Sequence, residues 1–291
     1  MADVNPRVDI AFKKIFGVEE NKDLLISLIN AVVSQEDQVK TVTLLNPYNQ
    51  KRFKKDKLSI LDIKAESTSG QKFNIEIQIS DEADYDKRAL YYWAKLYSDQ
   101  LGEAQNYSKL NKVIGIHILN FTSIPKVEKY HNVFHIAEKE LGHCYFKDLE
   151  LHTIELKKFT DQLEKKHGKI VTKIQSALDM WSAFLTKHDL IDQEKLAKKL
   201  KSPELEKAIH VIGVMNFTKE EREAYENRLK WLRIEANTLK KVEARAKKEG
   251  QKIGEKKKAT EIASALIAKG FSIEEASELT GLQEEEIKNG S

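Results

Sequence analysis

The sequence predicts an α/β domain followed by an all-helical C-terminal region. Residues 61–80, LDIKAESTSGQKFNIEIQIS, alternate apolar and polar residues with the two-residue period of strands around a polar turn. Residues 113–119, VIGIHIL, form a nearly continuous apolar run, which is typical of a strand buried on both faces of a sheet. Beyond about residue 160, apolar residues recur only at helical spacing.

The α/β part is predicted to begin with a short amphipathic helix, DIAFKKIF, which breaks at Gly17 and resumes in LLISLINAVV. A first strand in VKTVTLLNP precedes the hairpin of residues 61–80. Residues 81–104 predict a long helix, and KVIGIHILNF, NVFHIAEKE and LELHTIELKKF predict strands. We expect the long helix to carry one apolar face, formed by Leu90, Tyr91, Ala94, Tyr97, Ser98 and Leu101.

The C-terminal region is predicted to contain amphipathic helices, a long basic helix and a small terminal module. The basic helix begins with Thr218 and Glu221 in capping-box spacing, and we expect it to fray after Gly250. The terminal module resembles a helix-turn-helix in its caps and its glycine turn. The expected domains are residues 1–160, residues 161–258 and residues 259–291.

Composition bounds the class of protein. The chain has 291 residues, of which 33% are charged and 41% hydrophobic, as in globular proteins rich in helix. Its apolar runs are too short to span a bilayer, and its N-terminus lacks a signal-peptide profile, so we expect a cytoplasmic protein without a membrane partner. A single cysteine, Cys144, argues against an internal disulfide framework and a cysteine-rich zinc site.

Two carboxylates are predicted to face each other across the hairpin. If the apolar faces of both strands meet one core, a turn centred on Ser69 pairs Glu66 with Lys72, Lys64 with Asn74, and Asp62 with Glu76. Opposed carboxylates repel by about 0.2–1 kcal/mol in an exposed cross-strand pair, and a bound Mg²⁺ would offset that repulsion. The alternative is a solvated hairpin face whose charges meet only water.

The ordered set DIAFKKIFG, LDIKAES, NIEIQIS, DKRALYYWAKLYSDQL and VIGIHILNF resembles the Rpn family of recombination-promoting nucleases and transposases. That family belongs to the PD-(D/E)XK nuclease superfamily, and the resemblance covers roughly residues 5–160. It implies a restriction-endonuclease-like fold, in which helices flank a central mixed sheet. It also implies Mg²⁺-dependent hydrolysis of DNA phosphodiester bonds, with Ca²⁺ or Mn²⁺ as possible substitutes for Mg²⁺.

The resemblance also implies roles for residues of the hairpin. Asp62 and Glu76 would be the metal-binding carboxylates, with the carbonyl of Ile77 as a further oxygen ligand. Superfamily members usually carry lysine where this chain has Gln78, which can orient a water or a phosphate but supplies no positive charge. Gln at this position is the Rpn pattern, and Lys64 could supply the missing charge or be simply solvated.

Three residues outside the hairpin are further candidates. Asp9 could approach the metal or orient the nucleophile, or could serve as a helix N-cap. Lys13 could contact phosphate or cover the helix surface. Arg88 could meet a phosphate or a catalytic carboxylate, or remain solvated.

Charge divides the C-terminal region into a basic stretch and an acidic tail. Residues 228–258 contain 12 Lys and Arg against 4 Glu, a net charge of +8, whereas residues 259–291 contain 2 Lys against 7 Glu, a net charge of −5. The basic stretch predicts contact with a DNA backbone through Lys247, Lys248, Lys256, Lys257 and Lys258, unless it is a solvated helix. The acidic tail is unsuited to reading bases, so we expect it to mediate homo-oligomerisation.

The sequence therefore predicts a metal-dependent DNA endonuclease with little sequence preference. The alternative is a non-catalytic oligomerising or nucleic-acid-binding protein on a decayed nuclease fold. Both Asp62 and Glu76 are present, which favours catalysis over decay.

Overall fold

A six-stranded mixed sheet forms the centre of the fold. The computed structural model describes residues 4–48, 62–81, 84–165, 174–186 and 200–288. Its strands are β1 (Val42–Leu44), β2 (Ile63–Ser67), β3 (Lys72–Gln78), β4 (Val113–Leu119), β5 (His131–Ile136) and β6 (Phe146–Glu155). They lie in the order β1-β2-β3-β4-β6-β5. The β3–β4 and β4–β6 pairs are parallel and the other pairs antiparallel, which confirms the predicted mixed sheet.

Helices occupy most of the remaining described chain. They are α1 (Asp9–Phe16), α2 (Lys22–Val32), α3 (Tyr85–Ser98), α4 (Leu156–Lys165), α5 (Ala177–Thr186), α6 (Pro203–Gly213), α7 (Lys219–Ala268), α8 (Ile273–Thr280) and α9 (Glu284–Lys288). Strand β6 ends earlier than predicted, and α4 follows at once. Glu155 at this junction forms an ion pair with Lys158 in the first turn of α4.

The largest apolar core packs helices against one face of the sheet. Phe73, Ile75, Ile114 and Ile116 supply the sheet side of this core. The helix side includes the fully buried Trp181 of α5, whose ring meets the ring of Phe16 edge-on at 5.3 Å. Apolar residues of α4, α5 and α6 belong to the same core, so α5 and α6, which follow residue 160, pack with the sheet. Strand β4 is buried throughout, as its apolar run predicts.

The described chain groups into two compact units, residues 1–230 and residues 231–291. The second unit holds the end of α7 together with α8 and α9, around a small core of Ala263, Ala276, Leu282 and Ile287. Ser272 and Glu275 form the expected capping box at the start of α8, and Gly281 ends this helix in the left-handed conformation. The division at residues 160 and 258 stays a prediction.

The predicted apolar face of α3 is wrong. Tyr85, Ala89 and Leu96 are its buried residues, whereas Leu90 and Tyr91 are 52% and 62% exposed. Apolar residues occupy most positions of YYWAKLY, so periodicity alone does not select the buried side. On the observed side, Tyr85 and Ala89 pack with Leu119, and Arg88 contacts polar residues of β3.

The predicted fraying after Gly250 is also wrong, because α7 continues without interruption to Ala268. Each glycine costs about 1 kcal/mol in a helix interior, but the neighbouring Lys, Glu, Gln and Ala residues are strong helix formers. The capping box predicted at the start of α7 is confirmed, since Thr218 and Glu221 exchange both hydrogen bonds.

No helix in the described ranges combines the length and the apolar character that a membrane span requires. The cytoplasmic location stays a prediction.

Candidate active site

The β2–β3 hairpin has the predicted register. Ile63 pairs with Ile75, Lys64 with Asn74, and Glu66 with Lys72. One residue beyond the Ile63–Ile75 pair, this register brings Asp62 opposite Glu76. The face opposite the main core therefore carries Glu76 and Gln78, with Asp62 at its edge.

Asp62 lies just before β2 and is held by side chains from two other elements. Asn46, which follows β1, donates from Nδ2 to the main-chain oxygen of Asp62 at 3.1 Å and to its Oδ1 at 3.3 Å. Lys13 of α1 donates to the same main-chain oxygen. The other carboxylate oxygen, Oδ2, lies 3.6 Å from Nζ of Lys64. The carboxylate thus remains partly exposed while its backbone is anchored.

Glu76 and Gln78 both accept hydrogen bonds from Arg88. Arg88 of α3 donates from one guanidinium nitrogen to Glu76 Oε1 at 3.3 Å and to Gln78 Oε1 at 2.6 Å. Gln78 is buried, and its Nε2 donates to the main-chain oxygen of Ser80 at 3.1 Å. These contacts assign the two ends of the Gln78 amide and fix the direction in which it points. Of the three fates considered for Arg88, the structure shows contact with the carboxylate of Glu76.

A neutral histidine lies beside Glu76. The β3–β4 register places His117 next to Glu76, with its Nδ1 3.9 Å from Glu76 Oε2. Burial, and to a lesser extent the charge of Arg88, lowers the pKa of His117 to about 4. Within the described part of the chain, Nδ1 makes no hydrogen bond. Tyr85 packs its ring edge-on against the imidazole at 5.8 Å, which closes this side of the site with an apolar surface.

The carbonyl of Ile77 is oriented toward the β2 side of β3. The main-chain oxygen of Gln78 accepts from the N–H of Asn120, and the N–H of Lys72 donates to the main-chain oxygen of Lys112. The backbone N–H and C=O groups of the even-numbered residues of β3 therefore point toward β4. These backbone groups point to opposite sides in successive residues of a strand, so the carbonyl of Ile77 points toward β2, on the side where Asp62 lies.

Lys13 is fully buried, and its ammonium contacts the main-chain oxygen of Asp62 from the protein interior. Burial is the main cause that lowers the pKa of Lys13 to about 8. Gly17 makes room for its stem, because a Cβ at residue 17 would come within 2.8 Å of Lys13 Cδ. This placement suits an anchor of Asp62, and the phosphate contact expected for Lys13 stays a prediction.

Asp9 contacts a different partner from the one expected. It is the first residue of α1, whose N-cap is Val8, so Asp9 is not the N-cap. Its Oδ2 accepts from Nε of Arg228 at 2.9 Å, and its Oδ1 accepts from the N–H of Ile10 at 2.8 Å. Its role at the metal stays a prediction.

The basic lysines lie on the second unit. Lys247, Lys248, Lys257 and Lys258 are exposed along α7. Lys256 is also exposed, and its Nζ lies 2.5 Å from Oε1 of Glu286 in α9. An acidic residue of the tail therefore pairs with one lysine of the basic stretch.

The donor set around the hairpin has the composition that Mg²⁺ requires. Mg²⁺ is usually bound by one or two carboxylates together with water and substrate phosphate oxygens, and it needs no all-protein cage. Asp62, Glu76 and the Ile77 carbonyl offer such oxygens. No larger group of His, Cys, Asp or Glu side chains suited to a metal occurs among the residues that the structure describes. The residues present therefore fit a metal completed by water and substrate.

A six-stranded mixed sheet flanked by helices is the fold of the PD-(D/E)XK nuclease class. The family model described as "PD-(D/E)XK nuclease family transposase" matches residues 6–242. The chain belongs to this family. A search of curated proteins found no match, and neither did a search of solved structures.

Sequence reasoning missed two residues of the site, Asn46 and His117. His117 has a sequence signal, because it is the one polar side chain within the apolar run of β4. Asn46 has a weaker signal, since an asparagine before Pro47 is also ordinary turn chemistry. Its contact with Asp62 depends on how β1 packs beside β2.

Proposed function

We propose that the chain is a metal-dependent DNA endonuclease with little sequence preference, acting in DNA recombination or in the movement of mobile elements. The observation that carries this proposal is the hairpin register, which opposes Asp62 and Glu76 in a chain of the PD-(D/E)XK family. Family membership supports DNA as the substrate.

The metal would be held by Asp62, Glu76 and the carbonyl of Ile77, with Mg²⁺ as the expected ion and Ca²⁺ or Mn²⁺ as substitutes. When bound, the ion would polarise the phosphoryl oxygen and lower the pKa of an attacking water. The rest of the site supports the hairpin. Arg88 orients both Glu76 and Gln78, and Gln78 keeps a polar group beside the second carboxylate. Lys64 supplies positive charge next to Asp62.

The matched test of catalysis is plasmid nicking by purified protein with Mg²⁺. Wild type should convert supercoiled to open-circular DNA, and Asp62→Ala and Glu76→Ala should each lower the rate more than about 100-fold, since loss of a residue that only orients a metal ligand already costs about 10–100-fold. Glu66→Ala should nick normally, because Glu66 lies on the same hairpin but pairs with Lys72 at 2.9 Å.

The Glu66→Ala control removes a carboxylate from the same hairpin, so it separates loss of a metal ligand from loss of charge or of hairpin stability. Circular dichroism would check that all three variants are folded. Wild-type protein that fails to nick DNA, or an Asp62→Ala variant that nicks at the wild-type rate, would favour the non-catalytic alternative.

A second part of the proposal places the DNA backbone along the basic stretch of α7. All five candidate lysines are exposed, and the stretch carries a net charge of +8. The ion pair of Lys256 with Glu286 is exposed at 59% and 37% of the two side chains, so phosphate could compete for this lysine.

Replacing Lys247, Lys248, Lys256, Lys257 and Lys258 with Gln should weaken DNA binding and flatten its salt dependence. The slope of log K against log salt is negative, and each lost phosphate contact makes it less steep by about 0.9. A fluorescence-anisotropy titration at several salt concentrations measures this slope.

A variant with Gln at five other exposed lysines, Lys40, Lys126, Lys129, Lys139 and Lys147, changes the net charge equally and is the control. We expect it to keep most of the wild-type slope. Equal slopes for the two variants would mean that net charge, and not α7, determines binding.

We further propose homo-oligomerisation through the terminal module. Its apolar Ile262, Phe271 and Leu279 are 46%, 43% and 66% exposed, although the module has a core of its own. Changing these three residues to Ser should lower the mass measured by light scattering and leave DNA affinity unchanged. Unchanged mass would show that another surface mediates assembly, or that the chain is a monomer.

A further inference from the structure

The amide of Asn46 makes three hydrogen bonds with residues at the start of β2. Its Oδ1 accepts from the N–H of Lys64 at 2.7 Å. Its Nδ2 donates to both the main-chain oxygen and the Oδ1 of Asp62, at 3.1 and 3.3 Å. One carboxamide therefore binds the backbone on both sides of Ile63 and the side chain of the first carboxylate.

The position of Asn46 explains these contacts. Beyond the β1–β2 ladder, the N–H of Leu45 still donates to the oxygen of Lys64 at 2.8 Å. The chain then reaches Pro47, which has no N–H to donate. The side chain of Asn46 carries a donor and an acceptor like those of a peptide group, so it continues the pairing where the backbone cannot.

Asp62 depends on such outside support. It precedes β2, which begins at Ile63, so the β2–β3 ladder does not include its peptide group. Lys13 anchors its main-chain oxygen, but Asn46 contacts the carboxylate as well. Lys64 approaches the other carboxylate oxygen at 3.6 Å, which is too long for a hydrogen bond.

We propose that Asn46 is a positioning residue that sets the rotation of the Asp62 carboxylate toward Glu76 and a shared divalent cation. This inference rests on the proposed function. With Oδ1 held by the amide, an ion would bind through Oδ2, where it would compete with the ammonium of Lys64 at 3.6 Å. Such outer contacts orient metal ligands and typically account for about 10–100-fold in metal affinity or activity.

Asn30 provides a matched control within the same chain. Its Nδ2 donates to the main-chain oxygen of Val39 at 2.8 Å, and its Oδ1 accepts from the N–H of Val39 at 2.8 Å. It is thus another asparagine amide that clamps backbone next to β1, but it contacts no carboxylate of the hairpin. Asn30→Ala and Asn46→Ala remove comparable backbone anchors, and only Asn46→Ala removes the contact with Asp62.

The test is calorimetric titration of the full-length chain with Mn²⁺ alone, with urea unfolding of each variant measured in parallel. We expect Asn46→Ala to bind Mn²⁺ about 10–100-fold more weakly than wild type. Asn30→Ala should keep the wild-type dissociation constant to within about twofold, since it leaves the site's ligands in place. High Mn²⁺ should restore much of the nicking rate of Asn46→Ala, because its ligands are displaced and not removed.

If Asn46→Ala does not fold, Asn46→Ser serves instead, since serine is polar but lacks the amide that joins Lys64 to the Asp62 carboxylate. We expect it to bind Mn²⁺ about tenfold or more weakly than wild type. Wild-type Mn²⁺ affinity in the folded Asn46 variant would overturn the positioning role. Equal weakening in the Asn46 and Asn30 variants would overturn it too, by showing general loosening.

Asp62→Ala separates failure of this inference from failure of the proposed function. If wild type and Asp62→Ala bind Mn²⁺ equally or not at all, the metal site itself is wrong, and the inference fails with it. If Asp62→Ala loses binding and Asn46→Ala keeps it, the metal site stands and only the role of Asn46 is refuted.

Discussion

The opposition of Asp62 and Glu76 across one hairpin is the constraint on which the rest of the site depends. Register fixes it, because a slip of one residue would exchange the core face of a strand with its polar face. Two nearby carboxylates raise each other's energy, so the surrounding chain must compensate. Arg88 does so at Glu76, and Lys64 lies beside Asp62. A divalent ion would compensate both carboxylates at once.

Burial of polar residues around the hairpin lowers the stability of the fold, and a functional role would explain their presence there. Burying Lys13 disfavours its charged form and lowers its pKa to about 8, although an apolar side chain could fill the same space. His117 is similarly buried, and its pKa of about 4 keeps it neutral beside Glu76. The apolar core on the opposite face of the sheet supplies the stability that such residues reduce.

Sequence patterns predicted the parts of the structure that depend on residues close together in the chain. The hairpin register follows from strand alternation and a short turn, and the capping boxes at Thr218 and Ser272 follow from the spacing of their side chains. The buried side of α3 was missed because apolar residues fill most positions of YYWAKLY, and the tertiary packing of Tyr85 and Ala89 with Leu119 selects the buried side. The contacts of Asn46 and Lys13 with Asp62 join segments distant in sequence, so no spacing rule predicts these contacts.

A crystal structure with Mn²⁺, located by its anomalous scattering, tests the central claim most directly. The account predicts one ion between the carboxylates of Asp62 and Glu76, with an oxygen of each at about 2.0–2.6 Å, the range of Mg²⁺ and Ca²⁺ ligands. Water would complete the coordination. An ion bound by only one of these residues, or carboxylates that turn away from each other when the metal is present, would contradict it.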